Sequence, residues 1–235
     1  DVSRLLCGSL GMLGVIAEVS MKVMPRPAAT TTVAIRIGAK DALRRLNEWG
    51  GRPLPISASA WHDEMLHLRL SGARAAVESA VSGFAQEHGA VPVDDAEAAA
   101  FWNALRHQTL PFFALPPDAV VDDAAPADTG AADPRPGIAL WRLSVPSTAA
   151  SLSLPGEQLI EWGGAQRWWR TDAGANLVRQ AAARVGGHAT LFRGGDRSAG
   201  VFTPLKPPVL ELHRRLKAEF DPNGIFNPGR LVAGL

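Results

Sequence analysis

The sequence predicts an α+β fold, helices packed on an antiparallel sheet, and three observations carry that expectation. Apolar and polar residues alternate over short runs, as in Val33, Ile35, Ile37 and again in Leu66, Leu68, Leu70. Helical stripes separate such runs, with Leu43, Leu46 and Trp49 on one and Ala73, Ala76, Val77, Ala80, Val81 and Phe84 on the next. The resulting β-α-β-β-α order, with short connections, suits helices laid on one face of an antiparallel sheet.

Composition narrows the function. With 235 residues, 46% hydrophobic and 20% charged, the chain can bury one large core or two small ones. Twenty-four Lys+Arg against 23 Asp+Glu leave a net charge of +1, with no basic run to track a phosphate backbone, so nucleic acid is not an expected partner. The single cysteine, Cys7, cannot form an internal disulfide or ligate an iron–sulfur cluster unaided, and it fits a reducing compartment. No run reaches the roughly 18 apolar residues of a membrane span. The expected location is cytoplasmic, or peripheral at the inner membrane through partners.

In chain order, Leu13 to Val23 alternates like a strand, with Leu13, Val15, Ala17, Val19, Met21 and Val23 on one side. Pro25-Arg26-Pro27 ends it and leads into a second domain. After the Val33–Ile37 strand, Asp41 is placed to cap a helix that Gly50-Gly51 stops. Ile56, Ala58 and Ala60 give the next strand, then Leu66 to Leu70, then a helix ended by Gly89. Asp94 with Glu97 is a capping box for a helix carrying Phe101, Trp102 and Leu105. Residues 116–137 hold five Asp and no apolar period, and are expected to form an exposed acidic loop.

Ile138 to Val145 is the next strand. Glu157–Trp162 and Ala165–Arg170 flank Gly163-Gly164 as a hairpin, on which Trp162, Trp168 and Trp169 are expected to pack in the core, alternation leaving room for one at a partner surface. Asp172 is placed to cap a helix running to Val185, and His188–Arg193 forms a strand, so the β-α-β-β-α-β theme occurs twice. A last helix begins at Pro207-Pro208 and ends at Phe220.

Two segments stand out as chemistry. Gly8-Ser9-Leu10-Gly11-Met12-Leu13-Gly14 spaces three glycines three apart before a strand, where backbone amides can approach a ligand. This is not the dinucleotide fingerprint, which lies between a strand and a helix. Asp221-Pro222-Asn223-Gly224-Ile225-Phe226-Asn227-Pro228-Gly229-Arg230 sets an amide and a guanidinium on a turn fixed by two prolines and two glycines.

Together these segments resemble the FAD-linked oxidase family, whose flavin domain is of the vanillyl-alcohol oxidase type. There a G-S-x-G-x-L-G segment closes the FAD domain and a D-P-x-G-x-x-N-P-G-[KR] tail returns to the flavin after a cap domain. Within the family, Glu157-Gln158-Leu159-Ile160-Glu161-Trp162-Gly163-Gly164 and Gly186-Gly187-His188-Ala189-Thr190-Leu191-Phe192-Arg193 are similar to the smaller flavin subunits of bacterial glycolate oxidases.

The resemblance implies three parts: residues 1–28 as the end of an FAD-binding domain, 29–204 as an antiparallel-sheet cap domain, and 205–235 as a returning helix and flavin-contacting tail. It implies FAD as cofactor, with Gly8, Ser9, Gly11, Gly14 and Val15 giving backbone contacts, Asn227 near the isoalloxazine and Arg230 nearby. It also implies oxidation of glycolate to glyoxylate, beside a larger catalytic flavin subunit and an iron–sulfur subunit that takes the electrons. The family's pyrophosphate-binding half is not in this sequence, and Asp1 takes the place of an initiator Met, so the chain is expected to be the C-terminal two-thirds of a longer subunit.

The larger subunit and the D-lactate dehydrogenases carry a His-x-Gly-Asp-Gly-Asn-x-His-like run, where this chain has His188 alone. His188 and Arg193 are the candidate substrate contacts. Two other readings remain open: a non-catalytic FAD-binding assembly subunit, and a flavin dehydrogenase of another 2-hydroxy acid such as D-lactate. His62, His67, His88, His107 and His213 share no metal-ligand spacing, and no metal site is expected.

Overall fold

The structure, a computed structural model, describes residues 1–116, 137–232 and 234–235. All but the two ends of the expected acidic loop 116–137 lies outside the described residues. Along the chain run α1 (Val2–Leu6), β1 (Ala29–Arg36), α2 (Ala39–Gly50), β2 (Ile56–His62), β3 (Met65–Gly72), α3 (Arg74–His88), β4 (Val91–Pro92) and α4 (Asp95–His107). They are followed by β5 (Ala139–Ser144), β6 (Glu157–Glu161), β7 (Gln166–Thr171), α5 (Ala175–Arg184), β8 (His188–Arg193) and α6 (Pro207–Phe220). The chain divides into two compact units, a terminal unit of residues 1–25 with 202–235 and a sheet unit of residues 26–201.

In the sheet unit the described strands form one eight-stranded sheet in the order β4-β1-β3-β2-β6-β7-β5-β8, every neighbour antiparallel. The strand order has two like halves, as the order of elements suggests although no sequence repeat does: β2-β3-β1-β4 runs outward on one side and β6-β7-β5-β8 on the other. The second half lacks a counterpart of α2, and the connection between β5 and β6 takes its place.

Alternation assigns the two faces. On one face, Val33, Leu66, Leu68, Leu70 and Ile160 pack under α2 and α3, and Trp141, Leu143, Trp169 and Leu191 pack under α5. The other face presents Ala60, Leu140, Leu159 and Trp168 to Leu105 of α4 and to Phe112 and Phe113. So α2 and α3 share one face, as the β-α-β-β-α order suggests, and α4, for which the sequence indicated packing but no side, lies on the other. The cause is in its sequence: Phe101, Trp102 and Leu105 form a stripe of their own, and Trp102 Nε1 donates to Thr32 Oγ1 at 2.9 Å on the side of β1 facing away from α2.

Helix starts follow local chemistry. Asp94 caps α4, accepting from the amides of Ala96 (2.9 Å) and Glu97 (3.3 Å). Asp41 and Asp172 do not cap. Gly38 and Gly174 stand at those N-caps, Asp41 is bonded to Arg44 at 3.0 Å within the first turn, and Thr171 Oγ1 instead accepts from Ala173 N at 3.0 Å.

The larger correction concerns Leu13 to Val23, where no strand forms. A strand exists through its ladder, and among the described residues no neighbour pairs with this segment. Its apolar side chains stay uncovered, with Val15 80%, Val19 63%, Met21 77% and Val23 80% exposed.

Candidate functional site

The terminal unit brings the two chemistry-bearing segments together. Asn227, held in the left-handed region at φ 38°, donates from Nδ2 to Leu10 O at 2.7 Å. Gly11 has φ 74°, and a Cβ there would sit 2.8 Å from the same Nδ2, so only glycine admits this approach. Leu231 N donates to Met12 Sδ at 3.2 Å, closing the tail over the loop.

Beneath that contact lies a buried ion pair that the sequence reading missed. Lys217, on the last turn of α6, donates from Nζ to Asp221 Oδ2 at 2.5 Å, to Phe226 O at 2.6 Å and to Met12 O at 2.8 Å. Asp221 in turn accepts from the amides of Ile225 (3.0 Å) and Phe226 (2.8 Å). The i,i+4 spacing of Lys217 and Asp221 was available in the sequence, but the spacing alone is that of many solvated helix pairs.

Burial works to raise the Asp221 carboxyl, and the Lys217 ammonium with the two amides overcomes it, holding it down at about 2. A carboxyl lowered on folding adds stability that is complete above its unfolded value of about 3.9 and is lost as pH falls through its folded value. Acid should therefore loosen the terminal unit between about pH 4 and pH 2. Hydrogen exchange of the α6 amides measured across that range should show the loss, and Asp221→Asn should flatten it.

Beside this junction is a pocket of about 180 Å³ lined by residues that include Cys7, Gly8, Ser9, Met12, His213 and Leu216. Gly8, at φ 80°, has open space where a Cβ would be, and so does Gly14, at φ 149°. Of the other residues predicted here, Ser9 lines the pocket, Val15 is 80% exposed and Arg230 is exposed. A glycine loop with open backbone, a small pocket and a fixed amide fit one end of a large planar cofactor. The pocket is too small to enclose all of one.

In the sheet unit, His188 and Arg193 fall at the two ends of β8. The register of β8 on β5 shifts between Leu140 and Trp141, a bulge that brings Phe192 and Arg193 toward the α4 side, where His188 already lies opposite Ser144. Five residues at ~3.3 Å each separate them by roughly 16 Å, too far for both to hold one small hydroxy acid. Both are exposed, and Arg193 Nη2 is bonded to Gln108 Oε1 at 2.5 Å.

A second feature of this unit is a cleft of about 680 Å³ where β6 leaves β2. Only two residue pairs join those strands, Ala60↔Glu161 and Trp61↔Ile160. Among the described residues, three guanidinium groups line the cleft, those of Arg52, Arg69 and Arg106, with one carboxylate, that of Glu161. Glu161 Oε2 already accepts from Trp168 Nε1 at 2.5 Å and Gln166 Nε2 at 3.0 Å. Among the described residues no group of three or more His, Cys, Asp or Glu is placed to hold a metal ion, and no helix is long and apolar enough to cross a membrane.

The family model for FAD linked oxidases, C-terminal domain, matches residues 194–231, which include the tail that meets the glycine loop. Over all 235 residues the chain is 41% identical to the glycolate oxidase subunit GlcE of Escherichia coli (strain K12). The C-terminal segment of the chain thus matches the FAD-linked oxidases, and the whole chain is similar to a glycolate oxidase subunit. The chain spans 58% of the length of that relative. FAD is the cofactor of the matched family, and the junction of Asn227, Gly11 and Lys217 lies within a unit built from both ends of this chain.

Proposed function

We propose that the chain is part of a glycolate oxidase subunit that binds FAD and serves the oxidation of glycolate to glyoxylate, with electrons passing to an iron–sulfur partner subunit beside a larger flavin subunit. The observation that carries this reading is the closure of the Asp221–Arg230 tail on the Gly8–Gly14 loop, through Asn227 and Lys217. The identity to a glycolate oxidase subunit along the whole chain supports the choice of substrate.

In this reading Gly8, Ser9, Gly11, Gly14 and Val15 offer backbone contacts to one edge of FAD, and Asn227 and Arg230 stand beside them. Bound there, the flavin's chemistry is to accept a hydride from the carbinol carbon. Asn227 acts as a positioning residue, since its amide is already engaged by Leu10 O and fixes the loop against the tail. Arg230 is exposed and can donate a charged hydrogen bond, which at about 1.5–3 kcal/mol would move a two-electron potential by roughly 30–65 mV.

A second reading, in which the subunit holds FAD and stabilises the complex without turning over substrate, draws support from the separation of His188 and Arg193. Anaerobic addition of glycolate to the full-length subunit purified without partners distinguishes the two. Bleaching of bound flavin is the expected result for a subunit that oxidises the acid itself. Flavin that stays oxidised until the larger subunit is added makes this chain a relay or scaffold, and a full-length subunit purified without flavin overturns the FAD assignment.

A further inference from the structure

The sheet unit keeps one large aromatic side chain in water at a cost in backbone conformation. Of the three tryptophans around the β6–β7 turn, Trp168 and Trp169 are buried, at 3% and 2% exposed, while Trp162 is 71% exposed. Trp162 also has φ 53°, in a region that bulky side chains rarely adopt, and Gly163 and Gly164 follow at φ 61° and 98°. The turn is pinned from both sides: Gly163 N donates to Ser59 Oγ at 2.9 Å, and a Cβ on Gly164 would meet Leu43 Cδ2 at 2.8 Å. A left-handed tryptophan held rigidly outward gains nothing for the core, and such strain concentrates where a surface is used.

Trp162 lines the cleft between β2 and β6, and charge identifies what would lie beside it. Arg52 and Arg106 are exposed, and among the described residues neither has a salt bridge. Arg69 donates to Ser57 Oγ at 3.1 Å, and its guanidinium sits 5.4 Å from the centre of the Trp102 ring. Against these three cations stands Glu161, whose Oε2 is taken up by Trp168 and Gln166. The cleft is a cationic slot with a tryptophan at hand, the pairing of arginine and aromatic anchor that dominates protein interfaces.

We propose that Trp162 and the arginine cleft are the docking site for an acidic segment of a companion subunit of the oxidase complex. The inference rests on the reading of the chain as a subunit of that complex. Trp162 anchors the segment, and its carboxylates pair with Arg52, Arg69 and Arg106. The contact forms on residues of the sheet unit alone.

The test is binding of the full-length subunit to its co-expressed and purified companion subunits, followed by biolayer interferometry at two salt concentrations. Trp162→Ala should weaken binding roughly thirtyfold, which at 1.4 kcal/mol per tenfold is about 2 kcal/mol. Arg52→Glu with Arg106→Glu should weaken it further and flatten its salt dependence. Leu177→Ala, an exposed apolar residue on α5, should bind like the unaltered chain. Binding unchanged in the Trp162 and arginine variants overturns the docking site while leaving the subunit reading intact. Failure of the unaltered subunit to bind any companion removes both. A urea-unfolding midpoint and flavin content in Trp162→Phe equal to those of the unaltered chain, with binding partly restored, support loss of an anchor; a lowered midpoint with binding lost in step overturns it in favour of loss of fold.

Discussion

Replacing Arg167 by alanine will lower the stability of the sheet unit by about 4 kcal/mol, more than most single substitutions in a domain of this size. Arg167 is fully buried on β7 and has no carboxylate partner among the described residues. Its guanidinium is satisfied by three backbone carbonyls, Gly164 O at 3.0 Å, Ala150 O at 2.6 Å and Ala149 O at 2.5 Å. Burial pushes it down to about 10, so it remains a cation at neutral pH, and the carbonyls offset the loss of water.

Two of those carbonyls belong to the β5–β6 connection, which stands where the first half of the sheet has α2. Hydrogen bonds to a charged group contribute about 1.5–3 kcal/mol each, and truncation also strands buried acceptors. Lysine should recover little of the loss, because one ammonium cannot reproduce a planar fork reaching three carbonyls. All seven tryptophans lie in the sheet unit, so urea unfolding followed by their emission reports this unit directly. A midpoint unchanged in Arg167→Ala would show that the connection holds its place without the cation.

Lys217→Met should have the second large effect, a loss of about 3 kcal/mol in the terminal unit with impaired retention of flavin by the full-length protein. All three ammonium protons have acceptors, and the thioether replaces none of them. Asp221 would stay ionised in a buried place without its counter-charge, while Met12 O and Phe226 O lose their donor. The doubly altered Lys217→Met, Asp221→Asn protein should be less damaged than Lys217→Met alone, because removing both charges leaves none buried and unpaired. The terminal unit contains no tryptophan, so hydrogen exchange of the α6 amides is the suitable measurement. Exchange equal in the single variant and the unaltered protein would mean that the tail closes without the ion pair.

The sheet unit was legible in the sequence where its signals are local. Val33 to Ile37 and Leu66 to Leu70 alternate because one side of each strand is buried. Gly89 ends α3 in the left-handed conformation at φ 63°, and Asp94 opens α4 through its own carboxylate. None of these needs knowledge of a distant residue. The glycine loop and the Asn-Pro-Gly-Arg tail were equally plain as unusual backbone, and the family resemblance was carried by those two segments.

Only the tertiary structure decided the rest, because it depends on partners far along the chain. Leu13 to Val23 alternates as well as any strand here, yet forms none, since a ladder needs a neighbour and periodicity does not supply one. Which of three tryptophans faces water was set by a left-handed turn at Trp162, and the side of the sheet taken by α4 by its fit to β1, β5 and β7. Asn227 meets Leu10 across 217 positions, and Lys217 meets Met12 across 205. The sequence by itself determined most elements of the sheet unit and the family resemblance, for these follow from neighbours within a few residues; the junction that makes a site of two chain ends exists only because folding brings distant backbone within hydrogen-bond reach.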